Sequence, residues 1–407
     1  MKRDSATFKQ VNAQDFNFLV YVFTPFEVCY GALLTPNWVI TSGLCLQPFD
    51  DSDITQSFPI TYRKLSETQV FVGRPSTNNT NNYNMISSYY AGIPVVPNVK
   101  QIVDTFARTG QQYIGSGFVE VEKVNINSNY QLVNDYFPGI QKFDTSLLKL
   151  KTPINSGTVK LGTGSMASSQ KNLKAITYAP ISQSVSIQNG SQVPSTSVDV
   201  IYGKVGNFYN LLSNSYGANS ISEKDCQNYV LKIYGLTSID QLKGPAPPAN
   251  PFVCTTPFLM PNCQLDSSIS LMPISEGAET DGKEFSTLLV SDLTTKSTLS
   301  YGFLNWTMIV DTGSDTSDGT NVNGNSVVLY GLGKPFQYWL PSSSPGSGCS
   351  GMGVTHFPRI GIHTAWIQQV TGLSIDGSGA LASFSPKLSS FFSLSLFAFP
   401  IFISLLF

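Results

Sequence analysis

CYGALLTPNWVITSGLC, residues 29–45, decides how the rest of the chain reads. An apolar run through Ala32, Leu33 and Leu34 meets a second run, Trp38 to Ile40, across Thr35-Pro36-Asn37. Pro and Asn between two short apolar runs mark a tight turn joining two strands. Outward from it the pattern repeats, with short apolar or alternating segments broken by Gly, Pro, Asn and Ser. Strands are expected at 16–23, 29–35, 37–42, 68–73, 117–126, 145–151, 197–203 and 326–333. Helical periodicity is confined to 222–234 and to HTAWIQQVT at 363–371. This is the signature of an all-β fold, not of βαβ units.

Cys29, Gly31, Leu33, Leu34, Trp38, Val39, Thr41 and Cys45 fall in register with the segment CGGSLI…WVLTAAHC of trypsin-like serine proteases. The chain resembles that family. The resemblance implies two six-stranded antiparallel β-barrels, a short C-terminal helix, and long loop insertions at about 75–112 and 274–325. It also implies that the residue before Cys45 should be the catalytic histidine, but that residue is Leu44. Leucine cannot take a proton from a serine hydroxyl, so the general base is missing.

Other pieces follow the same resemblance. FDTSLLKLKTP, from Phe143, is similar to NDIALLKL and puts Asp144 at the carboxylate that orients the histidine. NCQLDSSIS, from Asn262, is similar to CxGDSGG and puts Ser267 at the nucleophile. Leu265 then replaces the glycine whose amide lines the oxyanion hole, and losing one such donor costs about 10²–10³ in rate. Pro261 stands at the base of the specificity pocket. VVLYGLGKP stands where the family's substrate-pairing strand reads SWG, and Lys334 and Pro335 at its end would obstruct an extended peptide. The family's cysteine framework implies the pairs Cys29–Cys45, Cys226–Cys254 and Cys263–Cys349. His356 and His363, the only histidines, are expected away from the nucleophile, with His363 a surface or capping residue.

Composition agrees with a life outside the cytosol. Charged residues make up 12% of the 407, against about 25% in an average domain. The formal charge of −2 and the lack of basic runs argue against nucleic acid. Disulfides require an oxidising compartment, and Asn78, Asn189 and Asn305 begin glycosylation sequons. No His and Cys spacing makes a metal site, and no cofactor is expected. The DTG at 311–313 lacks a second triplet for aspartic-protease chemistry. Asp311, Asp315 and Asp318 miss EF-hand spacing, which leaves a solvated loop.

Residues 389–407 carry no charge. They follow a spacer and the small residues Gly377, Ser378, Gly379 and Ala380. This is the pattern of a glycosylphosphatidylinositol (GPI) attachment signal with Ser378 as the attachment residue, and a retained tail anchor is the alternative. The run Phe16–Phe23 reads as a barrel strand, not as the core of a signal peptide. The expected organisation is a protease-like domain over 1–375 and a membrane-directed tail over 376–407. The expected function is that of an inactive serine protease homologue on the cell surface. It would bind an extracellular protein ligand, a protease or a protease inhibitor, as decoy, trap or adhesin. The alternative is an active endopeptidase with an unorthodox base.

Overall fold

The computed structural model describes residues 8–47, 64–75, 86, 99–133, 140–163, 173–204, 223–255, 300–313, 326–339 and 355–382, apart from residues 12, 189–190, 234–235, 243, 248, 304–305 and 335. The strands Leu19–Phe23, Val28–Thr35, Trp38–Thr41, Phe71–Gly73, Phe118–Ile126 and Ser146–Leu150 close into an antiparallel barrel. Around the barrel the order is first, second, third, sixth, fifth, fourth, and the fourth returns to pair with the first.

The turn read from Thr-Pro-Asn is held by Thr35, whose Oγ1 accepts the amides of Asn37 (3.3 Å) and Trp38 (3.1 Å). All five residues of Leu19–Phe23 are buried, which explains why this strand reads as an unbroken apolar run. One face looks into the barrel and the other lies under neighbouring structure. Cys29 and Cys45 are bonded, tying the second strand to the short helix Gly43–Leu46. Cys226 and Cys254 are bonded as well, joining the helix Glu223–Ile233 to the strand Phe252–Thr255. Cys263 and Cys349 lie outside the described residues.

The second half consists of two open sheets among the described residues. A six-stranded sheet runs Phe8–Val11, Ser191–Lys204, Leu173–Gln188, Thr307–Asp311, Val328–Gly333, Lys160–Leu161. A four-stranded sheet runs Phe252–Thr255, Thr355–Pro358, Phe336–Trp339, Ser300–Phe303. A bridge between Gly331 and Arg359 links the two. A second closed barrel is therefore not among the described strands.

The strand Thr307–Asp311 shows how the two halves share a core. Met308 and Val310 join the cluster of Val20, Leu33 and Leu148, whereas Ile309 joins Val253 and Phe357 between the two sheets. Alternate residues of one strand thus serve two cores. This strand falls inside the segment expected as a loop insertion at 274–325, which therefore overran a buried element. Its alternation was hidden because Met308, Ile309 and Val310 are all apolar. The DTG at 311–313 is a turn in which Asp311 Oδ1 accepts the Gly313 amide at 2.8 Å.

Both expected helices are present, as Glu223–Ile233 and Thr364–Thr371. The second ends at Gly372, left-handed at φ 68°, whose amide returns to the Gln368 carbonyl. A third helix, Val99–Gln112, occupies the expected insertion at 75–112. Its Phe106 is buried against Phe71 with ring centroids 5.8 Å apart. At Gly110 the helix comes so close to the barrel that a Cβ would lie 2.1 Å from the Phe71 ring.

Packed structure continues past the expected boundary at 375. Ser374–Ile375 pairs with Leu381–Ala382, and the Leu161 amide donates to the Gly379 carbonyl at 2.8 Å. Asp376 Oδ1 organises the turn between them by accepting from Ser378 N, Ser378 Oγ and Ala380 N. Gly379 has φ 85°, and a Cβ there would sit 2.1 Å from the Leu161 carbonyl oxygen. Part of the small-residue cluster is thus required by the fold itself.

Gly110→Ala should lower stability by about 1–3 kcal/mol through overpacking against Phe71, although alanine is the better helix former by about 1 kcal/mol. Urea unfolding of the two proteins checks this. A variant as stable as the parent would mean that the helix is not seated on the barrel.

Candidate functional site

The short helix Gly43–Leu46 begins at Ser42, which caps it. Ser42 Oγ donates to Asp144 Oδ1 at 2.6 Å, and the Leu44 amide donates to the same oxygen at 2.8 Å. Residues 44 and 144, named from the resemblance, are therefore brought together. Gly43 is required between them, since a Cβ there would lie 2.9 Å from Tyr130 and 3.2 Å from Asp144 Oδ1. Leu44 is half-buried and packs on the barrel core.

Backbone strain aims the carboxylate. Phe143 is the one non-glycine residue with positive φ (55°) among the described residues, a conformation of order 1–3 kcal/mol above the usual wells. The Thr145 amide donates back to the Phe143 carbonyl at 2.7 Å, closing a tight turn that points Asp144 inward. His363 packs its ring on Phe143, centroid to centroid 5.5 Å.

Asp144 is 1% exposed. Burial pushes its carboxyl up to about 6, partly opposed by the bonds from Ser42, Leu44 and Gly43. Its second oxygen, Oδ2, is buried and has no hydrogen-bond partner among the described residues. A Cβ on Gly333 would sit 3.2 Å from that oxygen, so the end of Val328–Gly333 lies directly over it.

His363 differs from its expected place. It is buried, at 4% exposure, and makes no capping bond to the helix it precedes. It fills the apolar space over Phe143, a role its neighbours in sequence do not reveal. Burial lowers it to about 4 and lowers His356, also buried, to about 3. Both are neutral at physiological pH. Stability from this neutral state is complete above about 6.5 and is lost as pH falls toward the lowered values.

Lys334 stands at the end of Val328–Gly333, as expected, but its partners were not foreseen. Its ammonium pairs with Glu27 Oε2 at 2.5 Å and lies 5.1 Å from the centre of the Trp306 ring. Trp306 Nε1 donates to the same Glu27 oxygen at 3.0 Å. Glu27 had one visible signal, being the only charged side chain between Asp15 and Asp50. Its pairing with residues some 300 positions away carried none.

Ser267, Leu265 and Pro261 lie outside the described residues, as do Asn78, Asn189 and Asn305. Ser378 is exposed on the hairpin turn described above. Among the described residues no His, Cys, Asp and Glu cluster holds metal-ligand geometry, and no helix is long and apolar enough to cross a membrane. No family model matches the chain, and no curated protein matches it.

The raised Asp144 fixes the sign of a pH effect. Its contribution to stability is complete below about pH 4 and is lost as pH rises through about 6. Relative to Asp144→Asn, which keeps an acceptor for Ser42 and Leu44, the parent should lose roughly 2–3 kcal/mol between pH 4 and pH 7. Denaturant midpoints of both proteins across that range measure the difference. Parallel pH profiles would show that the carboxylate is not the buried group it is here.

Proposed function

We propose that this chain is a catalytically silent homologue of the trypsin-like serine proteases, displayed at the cell surface and acting by binding protein. The barrel, with its bonded Cys29–Cys45 motif, supports the family resemblance. One observation carries the silent reading. Asp144 holds the backbone of residue 44 through Oδ1, its Oδ2 has no partner among the described residues, and the side chain at 44 is leucine. The orienting acid is in place and the base that it would orient is not. An oriented imidazole raises a serine hydroxyl from an ordinary alcohol to a nucleophile, and Leu44 has no group to do this.

The partner class follows from location and chemistry. An extracellular protein ligand, a protease or a protease inhibitor fits a surface that keeps a protease's outline without its turnover. The uncharged segment 389–407 supports lipid anchorage by GPI processing, with Ser378 as the candidate attachment residue and a retained membrane tail as the alternative. Processing at Ser378 would remove Gly379 and the paired strand Leu381–Ala382, so it would come at the cost of that hairpin.

Fluorophosphonate labelling of the full-length protein tests silence, with Ser267→Ala as the control. No labelling above the control is expected, and labelling that vanishes with Ser267→Ala would overturn the reading. Placing an imidazole beside the waiting carboxylate gives a second test. In Leu44→His, a new histidine resonance should titrate above the ordinary value of about 6.5, because the ionised acid stabilises its charged form. A new histidine titrating at or below that value would place residue 44 away from Asp144. For the anchor, phosphatidylinositol-specific phospholipase C should release the protein from intact cells.

A further inference from the structure

The two longest strands described, Leu173–Gln188 and Ser191–Lys204, pair with each other from Lys174 and Lys204 to Gln188 and Ser191. The rest of the sheet covers only the base of this hairpin. Thr307–Asp311 lies beside it from Leu173 to Thr177, and Phe8–Val11 lies beside it from Val200 to Gly203. Between Pro180 and Ser182 the register shifts, and a bulge of this kind bends a strand away from its sheet. Beyond the bulge, residues 182–188 and 191–197 form a two-stranded arm. Among the described residues no further strand pairs with either of its edges. A hairpin of two strands is marginal in water, and a further strand is what stabilises it.

The two edges of the arm differ. Gln188 and Ser191 flank a two-residue connection, so they exchange both backbone bonds, and bonded and non-bonded pairs alternate from there. The backbone groups of Gln183, Val185 and Ile187 therefore point away from the partner strand, as do those of positions 192, 194 and 196 opposite them. Position 194 is proline, which has no amide to give. It breaks that edge at its centre, one of the ways in which edge strands are kept from pairing further. The edge at 183–187 has no such break. Charge does not guard it either, since no Asp, Glu, Lys or Arg occurs between Lys174 and Asp199.

We propose that this edge pairs with the same edge of a second copy of the chain, residues 183–187 running antiparallel to themselves about a twofold axis at Val185. The outward amides and carbonyls of Gln183, Val185 and Ile187 then answer those of the other copy, and two arms become one four-stranded sheet. A twofold contact sets the axial residue against itself, and like charges directly opposite repel. An uncharged segment escapes that penalty. A site for a charged foreign peptide would carry the opposite charge, and this arm carries none. The inference stands apart from the silent-protease reading, because it uses no residue of the Asp144 region.

Sedimentation velocity of the full-length protein in density-matched detergent counts the copies, and two are expected. Val185→Pro removes one outward amide from each copy and leaves the arm's own ladder intact, so it should weaken association about tenfold or more. Thr196→Pro makes the same change on the other edge and should associate like the parent. Charge variants guard against a folding fault in the proline variant. Val185→Lys and Val185→Glu should each sediment as single copies, and an equimolar mixture of the two should restore the pair. Deuterium exchange within 182–188 should slow as the parent is concentrated, and should stay fast in Val185→Lys alone. A parent found only as single copies would overturn the proposal. So would association that survives Val185→Pro and both charge variants, an equal loss in Thr196→Pro, or a mixture that fails to pair.

Discussion

A carboxylate withdrawn from water must be held by donors, and at Asp144 the donors are the capping serine and first amides of a single helical turn. That contact joins the Gly43–Leu46 helix to the approach of the strand Ser146–Leu150, about a hundred residues later in the chain. It sets the strained turn at Phe143, the need for glycine at 43, and the position of His363 over the Phe143 ring. It also leaves one oxygen beneath Gly333 without a partner among the described residues. A lone buried acceptor costs roughly 1–3 kcal/mol, and burial raises the acid toward neutrality instead of leaving it fully charged. The geometry that buries this acid makes the region thermodynamically costly.

The end of one strand carries much of the contact between the second half and the barrel. Gly333 faces Asp144 Oδ2, and Lys334 turns to Glu27. Two successive residues thus lie against an acid of the barrel each, Gly333 over the buried Asp144 and Lys334 in an ion pair with the largely buried Glu27.

Barrel strands were legible because they are short, apolar and punctuated by turn residues with defined chemistry, as at Thr35-Pro36-Asn37. The Cys29–Cys45 and Cys226–Cys254 bonds were legible through the family resemblance, as was the approach of residue 44 to Asp144. Thr307–Asp311 was misread because a strand buried on both faces loses its alternation, and a Gly- and Asp-rich stretch after it resembles a loop. The helix Val99–Gln112 went unread inside the expected insertion, although Val99, Ile102, Val103 and Phe106 follow helical spacing. The Glu27–Lys334 pairing was beyond reach, since a contact spanning three hundred residues depends on how two sheets pack. Gly379 was assigned to a processing signal, and only its approach to Leu161 revealed a steric reason for glycine.

The hairpin at Ser374–Ala382 has a mechanical consequence. Tension applied beyond Ala382 would reach the fold through the short pairing of Ser374–Ile375 with Leu381–Ala382, the bond from Leu161 to Gly379, and the packing of Ile375 and Leu381 on the core. Those bonds, with the Asp376 turn, stand in series ahead of the C-terminal helix and the barrel. The weakest link in a loaded chain yields first, so the hairpin would peel while the barrel stayed closed. Such a release would lengthen the connection by several residues and let the barrel reorient under load. The turn would then yield ahead of the barrel whenever the chain is drawn from beyond Ala382.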